Sequence, residues 1–506
     1  METIIRKIDR ENPGQEVLEE AGKILLNGGL VAFPTETVYG LGANALDEQA
    51  AEKTYAAKGR PSDNPLIVHI AEFTALKDIA EEIPREAEIL AEKFWPGPLT
   101  MIFKKTELVP RGTTGGLDTV AVRMPSDKVA LALIRAGGGY VSAPSANTSG
   151  RPSPTAAEHV EEDLGGKIEM ILDAGRVDIG VESTIVDMTV QPPVILRPGA
   201  VTREMLEEAV GPVEVDKALI SEDSKEPPKA PGMKYRHYAP KAELLILEGT
   251  TEECVKAIRQ IAYEQERLGY RVGIIASEET FAFYTVGNIK NIGSRENEKT
   301  VAQNLYRVLR EFDEEGVDYI YSEAFPEGGI GTAVMNRLGK AAGHHVLQAE
   351  VITRLQKYRT IVFVSNSDNC RAPIAAALLR RQPLLQEYDI CSRGMVVLFS
   401  EPLNPRAEEI LKEHGIVLKG YETLPLEAEL MKEDALVLTM EDSQRDKIRN
   451  EYPETGHVYT LAEFVGGEEE IPSVYGQTPE QYENMYGLIE DYVKKLAKKL
   501  NEEAKS

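Results

Sequence analysis

The stretch FPTETVYGLGANA, Phe33 to Ala45, grows directly out of the apolar run GLVAF, residues 29–33. A short apolar run followed by small and hydroxyl-bearing residues is how a strand ends at the edge of a ligand-binding α/β sheet. Thr35, Glu36 and Thr37 fall where the chain must turn. They either satisfy backbone groups within that turn or face a ligand. Working outward, the pattern repeats in LIVHI (66–70), LTMIF (99–103), TVAVRM (119–124), YVSAP (140–144), STIVDM (183–188) and VILRP (194–198). Amphipathic segments separate these runs; DEQAAEKTYAAK (47–58) predicts a helix with Asp47 as N-cap and GRPSDNP as its end. The first 210 residues thus carry the α/β signature.

At 506 residues the chain exceeds one core, and about 100–200 residues per domain predicts three. Residues 213–240 lose periodicity and collect Pro, Lys and acidic residues in EDSKEPPKAPGMKYRHYAP, a linker by composition. A second α/β unit begins at ELLIL (243–247), with helices over 251–268, 299–315 and 331–342 and strands RVGIIA (271–276) and VDYIYS (317–322). A third begins at TIVFV (360–364) and closes on an amphipathic helix over 479–500. The expected divisions are 1–212, linker 213–240, 241–354 and 355–506.

The formal charge of −26 argues against broad attraction to nucleic acid, so an anionic ligand needs a local cationic cluster. Three cysteines, Cys254, Cys370 and Cys391, make no disulfide framework or paired zinc spacing and suit a reducing compartment. With neither a long apolar run nor a secretory leader, a cytoplasmic location is expected and a membrane partner is not.

Three further stretches could line a site at the sheet edge. In KGRPSDNPLIVHI, Lys58 and Arg60 leave a helix end while Asn64 and His69 flank the next strand. The two cations could instead serve only the helix dipole, and His69 could be a hydrogen-bonded core residue. In DTVAVRMP, Arg123 lies in the middle of an apolar strand, where it would be costly unless it points into a ligand site or an ion pair. SAPSANTSGRPSPT, 142–155, gathers hydroxyls and small residues that let a backbone approach a ligand.

Together these motifs, with Lys-x-Arg at Lys58 and Arg60 and Ser-x-Asn at Ser145 and Asn147, closely resemble the threonylcarbamoyl-AMP synthase family over residues 10–210. PGMKYRHYAP (231–240) and GGIGTAVMNRLGKAAG (328–343) resemble the linker and second domain of its longer members, which implies a twisted, open, mixed-sheet first domain and a Rossmann-like second one. The resemblance implies synthesis of L-threonylcarbamoyladenylate from L-threonine, bicarbonate and ATP with Mg2+, releasing pyrophosphate. The product would pass to a tRNA threonylcarbamoyl transferase complex for the modification beside the anticodon. It carries Lys58, Arg60, Ser145 and Asn147 over as catalytic residues. Thr35, His69, Arg123, Ala143 and Ser183 become threonine contacts. Lys58, Arg60, Asn64, Thr119, Ser145, Asn147, Ser153, Arg197 and Tyr235 become nucleotide contacts, with Tyr235 on a linker that folds over the site. The metal ligands and oligomeric state are not legible in the sequence. An RNA-binding, translation-associated module is the alternative, weakened by the acidic chain. A carbamoyl transfer of the hydrogenase-maturation kind lacks the cysteine pairs it would need.

The third unit resembles the low-molecular-weight protein-tyrosine-phosphatase family. Its loop, Cys-x-Gly-Asn-x-Cys-Arg-Ser-Pro, here reads Ser365-Asn366-Ser367-Asp368-Asn369-Cys370-Arg371-Ala372-Pro373. Ser365 replaces the thiolate nucleophile, Ser367 a glycine suited to positive φ, and Asp368 an asparagine. Ser473-Val474 replaces the general-acid Asp-Pro. Four departures at once imply a degenerate loop that keeps Arg371 and has lost phosphatase activity; a residual second activity is the alternative.

Overall fold

The computed structural model describes residues 2–216, 238–354, 358–384, 386–432, 434–453 and 455–503. It divides into two compact units, Met1–Ala349 and Glu350–Ser506. The unit Met1–Ala349 is built on two sheets. Eleven strands form the first: β1 (Ile4–Lys7), β2 (Val31–Phe33), β3 (Gly40–Asn44), β4 (Ile67–His69), β5 (Leu99–Lys104), β6 (Thr119–Arg123), β7 (Val141–Ser142), β8 (Met170–Asp173), β9 (Thr184–Asp187), β10 (Val194–Arg197) and β11 (Glu214–Val215). Their order is β1-β8-β2-β3-β7-β4-β6-β5-β9-β10-β11. Pairing is mixed: β2 and β3 form an antiparallel hairpin, β4 and β6 run parallel, and β5 lies antiparallel to β6. The predicted boundary at 212 falls short, because β11 still pairs with β10 through Val194 and Glu214.

The helix Glu48–Lys58 forms as its signals require. The Asp47 carboxylate accepts a hydrogen bond from the Gln49 N–H, and Gly59 closes the helix with φ of 60°. Lys58 and Arg60 are thereby thrown from the helix end toward the sheet. Phe33, Val68, Val122 and Ile185 are fully buried, so the site stands on strands anchored by about 1.5–3 kcal/mol per large apolar side chain.

Five parallel strands make the second sheet: β12 (Glu243–Glu248), β13 (Val272–Ala276), β14 (Asn288–Asn291), β15 (Tyr319–Glu323) and β16 (Val346–Gln348), ordered β14-β13-β15-β12-β16. Its helix Glu298–Glu315 packs against the first sheet's loops; Val38 and Val181 share a core cluster with Ala302, Leu305 and Tyr306. Gly180, with φ of 84°, lets that helix approach so closely that a Cβ there would collide with the Ala302 carbonyl. Arg310, 1% exposed, seals the contact by donating to Asp163 Oδ2 at 2.8 Å and to the Pro152 carbonyl at 2.6 Å.

The unit Glu350–Ser506 has four parallel strands, β17 (Thr360–Ser365), β18 (Asp389–Gly394), β19 (Ala435–Thr439) and β20 (Val458–Thr460), ordered β18-β17-β19-β20. The helix Pro479–Glu503 buries Tyr482, Met485, Tyr486, Ile489, Val493, Leu496 and Leu500, the three-to-four spacing of one helical face.

Candidate functional site

Parallel pairing of β4 with β6 sets His69 beside Arg123 at the same end of the sheet. The Arg123 guanidinium donates to Glu36 Oε1 at 2.7 Å and to Thr37 Oγ1 at 3.0 Å. Thr35 Oγ1 donates to the Val38 carbonyl at 2.7 Å and accepts from the Thr37 N–H at 3.1 Å. The two readings of the Thr-Glu-Thr turn therefore coexist: its hydroxyls close the turn, and the closed turn forms a wall of the pocket. His69 Nδ1 lies 3.1 Å from the Ile67 carbonyl, so Nδ1 carries the proton and Nε2 is left as an acceptor. Burial, then Arg123, pushes the imidazole down to about 3, which keeps it neutral near pH 7.

Lys58, 1% exposed, donates to the carbonyls of Ser145 and Asn147. Ser145 Oγ donates to Asn147 Oδ1 at 2.5 Å, and Asn147 Nδ2 donates to the Thr148 and Arg151 carbonyls at 2.9 and 3.0 Å. One lysine thus ties down the Ser-x-Asn loop. Burial, followed by the neighbouring Arg60, drives the Lys58 ammonium well below the usual lysine range. Arg60 donates to the Asn64 and Pro65 carbonyls, and burial lowers it to about 10. Arg197 closes β10 and donates to the Ser183 carbonyl at 3.0 Å and to Ser183 Oγ at 3.2 Å.

A pocket opens at this edge, walled by Thr35, Arg60, His69, Arg123, Ala143, Ser145, Ser183 and Arg197 among the expected residues. Lys58 and Asn147 lie directly behind Ser145. Asn64 sits beneath Arg60, with its side-chain oxygen buried and without a hydrogen-bond partner among the described residues. Ser153 reaches the pocket only through Glu182, donating to Oε1 at 2.6 Å. Thr119 is not brought to this pocket: it opens β6 while Arg123 ends it, and it borders a separate groove with Lys104 and Arg111. Four residues of strand put about 13 Å between them. Tyr235 lies outside the described residues.

Tyr238 and Glu182 are among the lining residues that the sequence reading did not assign to the site. Tyr238 belongs to the same basic and aromatic run as Tyr235; it is 4% exposed, holds φ of 66°, and stacks on Tyr306 with ring centroids 5.2 Å apart. A left-handed tyrosine costs about 1–3 kcal/mol and persists where surrounding contacts impose it. Glu182 precedes the expected Ser183, and no local signal singles it out.

In the phosphatase-like unit, Ser365 ends β17 and Arg371 opens the helix Arg371–Leu379. The positive φ of this loop lies at Asp368, at 54°, and not at Ser367 in the glycine's place. Asp368 is turned inward: it is 1% exposed, and its Oδ2 accepts from the Leu424 N–H at 3.1 Å. Arg371 Nη1 donates to Glu441 Oε1 at 2.6 Å and to the Ile471 carbonyl at 2.7 Å. The loop's cation is engaged within the protein. Ser473 is exposed on the loop before the last helix.

An open mixed sheet that brings three buried arginines and several hydroxyls to one edge defines an α/β protein with a polar, arginine-lined pocket. Comparison with known proteins places it more narrowly. A family model described as telomere recombination matches residues 23–199, and that of the threonylcarbamoyl-AMP synthase C-terminal domain matches 201–343. The threonylcarbamoyl-AMP synthase of Pyrococcus abyssi is 49% identical over 346 residues, 68% of this chain and 99% of the relative. That of Bacillus subtilis is 50% identical over 333 residues, 65% of this chain and 94% of the relative. The crystal structure of P. abyssi Sua5 complexed with L-threonine matches with a TM-score of 0.66 at 48% identity, covering 68% of this chain and 99% of that one. The chain belongs to the threonylcarbamoyl-AMP synthase family. Residues 360–506 match the low molecular weight phosphotyrosine protein phosphatase family.

Proposed function

We propose that the protein is an L-threonylcarbamoyladenylate synthase that uses the pocket at the ends of β4, β6 and β10. The observation that carries this is the convergence of Arg60, Arg123 and Arg197 on one pocket in an otherwise acidic chain of this family. The threonine amine and bicarbonate condense, with loss of water, to an N-carboxylate. One of its oxygens attacks the α-phosphorus of ATP, and the bond to the β-phosphate oxygen breaks to release pyrophosphate. The attacking group is already an anion, so the step needs alignment and charge neutralisation more than a strong base.

Thr35, His69, Arg123, Ala143 and Ser183 are the proposed threonine wall. Neutral His69 offers Nε2 as an acceptor for the ammonium or hydroxyl. Arg60, Ser145 and Arg197 face the nucleotide, with Lys58 and Asn147 fixing Ser145 from behind. Among the described residues no three His, Cys, Asp or Glu side chains are grouped as a metal cage, and Glu36 and Glu182 are engaged with arginines. Magnesium in this proposal arrives on the triphosphate, held by phosphate oxygens and water. The adenylate would then pass to a tRNA threonylcarbamoyl transferase complex in the cytoplasm; no helix among the described residues is long and apolar enough to cross a membrane. The test is pyrophosphate release from ATP, magnesium and bicarbonate. Release should depend on added L-threonine; threonine-independent release, or none from folded protein, would refute the proposal.

The phosphatase-like unit is proposed to be catalytically silent. Its serine has no activating base in the loop, and its arginine is spent on Glu441. Hydrolysis of p-nitrophenyl phosphate by the full chain should not exceed background, and Ser365→Ala should leave threonine-dependent pyrophosphate release unchanged. Hydrolysis abolished by Ser365→Ala would overturn this.

A further inference from the structure

Glu182 is a carboxylate in the wall of a pocket whose proposed ligand is a triphosphate, a placement that would repel the ligand unless the charge is cancelled. Three groups meet it, and two come from the second sheet's helices. Tyr306, on the helix Glu298–Glu315, donates to Oε2 at 2.9 Å. Arg337, on the helix Gly331–Ala341, donates from Nε to Oε2 at 3.0 Å. Ser153 donates to Oε1. Burial alone would raise the Glu182 carboxyl, but Arg337, Arg197 and Ser153 outweigh it and hold the carboxyl at about 2. The carboxylate is therefore charged; Arg337 holds it directly, and Arg197, bonded to the carbonyl of the next residue, stands beside it in the pocket wall.

Arg337 is fully buried and is not itself among the pocket-lining residues. It also donates from Nη1 to the Pro198 carbonyl at 2.6 Å, gripping the residue next to Arg197. It falls in the GTAVMNRLGKAA stretch, to which the reaction itself assigns no task. We propose that Arg337 is a positioning residue for nucleotide binding: by neutralising Glu182 it keeps Arg197 from being drawn onto that carboxylate and directs its charge to the ATP phosphates. The second domain is thus a working part of the active site. This rests on the synthase reading above for the identity of the ligand.

The prediction is read by calorimetric binding of ATP and, separately, of L-threonine to the full chain. Arg337→Gln shortens the side chain and removes its charge; it should weaken ATP about tenfold and threonine by less than about twofold, because only Ser183 of the proposed threonine wall adjoins Glu182, while Thr35, His69, Arg123 and Ala143 stand on other segments. Arg337→Lys should recover most of the loss. Adding Glu182→Gln to Arg337→Gln deletes both charges and should bring ATP affinity back to within about threefold of the parent, which lost folding or packing could not produce. ATP affinity unaffected by Arg337→Gln would overturn the proposal, as would a double variant that melts normally yet binds ATP as weakly as the single one. Parent protein that binds ATP without threonine-dependent pyrophosphate release would sink the synthase reading and leave this role to stand on the ATP data. Parent protein that binds no ATP would sink both.

Discussion

Lys58→Ala is expected to lower kcat/KM for ATP by about 10²–10³-fold, the scale of removing one preorganised electrostatic contact from an active site. Two consequences add. The ammonium is lost from behind the nucleotide wall, and the carbonyls of Ser145 and Asn147, which it holds together, lose their shared donor. Each carbonyl left unsatisfied costs about 1–3 kcal/mol, partly offset because a buried cation no longer has to be desolvated. Stability should therefore fall modestly while turnover falls steeply. Lys58→Arg should not rescue, since a planar fork cannot place one nitrogen between two converging carbonyls in a site closed to solvent. Steady-state kinetics and thermal melting of the two variants check this; near-normal kcat/KM in Lys58→Ala would remove the residue from the mechanism.

Arg123→Ala should produce the second large effect, on two separable readouts. Glu36 would be left buried without the partner now 2.7 Å away, and breaking one side of a buried ion pair costs about 3–5 kcal/mol. Glu36 Oε2 already has no partner among the described residues, which leaves little to compensate the loss. Binding of threonine should weaken at least tenfold, because a carboxylate loses its cationic neighbour. Pairing Arg123→Ala with Glu36→Gln should restore much of the melting temperature and none of the threonine affinity. Recovery of both would show that Arg123 acts only on the fold of the Thr-Glu-Thr turn.

The sequence exposed the parts of this site that combine a strand end with an out-of-place charge. Arg123 in an apolar run and Lys58 and Arg60 at a helix end are such residues, and the structure sets Arg60 and Arg123 in one pocket with Lys58 behind it. Many strands with apolar runs were visible too, although Met170–Asp173 and Ala435–Thr439 passed unread. GLGAN, Ile4–Lys7 and Glu214–Val215 were not, because glycine, charge and brevity hide a strand that is defined by its neighbours' pairing. Thr119 illustrates a limit of position in a motif: the strand that carries it is five residues long and delivers only its far end, Arg123, to the pocket. Glu182, Tyr306 and Arg337 were illegible for a different reason. Their meaning lies in contacts across more than a hundred residues, between two sheets that sequence reading separated into independent domains. In the phosphatase-like loop nothing in the sequence showed that Asp368 would turn inward or that Glu441 would take up Arg371, since both partners lie more than fifty residues away.

The central claim is that this pocket joins threonine, bicarbonate and ATP into one adenylate. Incubation with 14C-bicarbonate, magnesium and ATP, followed by chromatography of the nucleotides, tests it most directly. The account predicts a labelled AMP derivative that appears only when L-threonine is present, is lost in Lys58→Ala, and persists in Ser365→Ala. Absence of label from every nucleotide, with the protein folded and ATP bound, would contradict it.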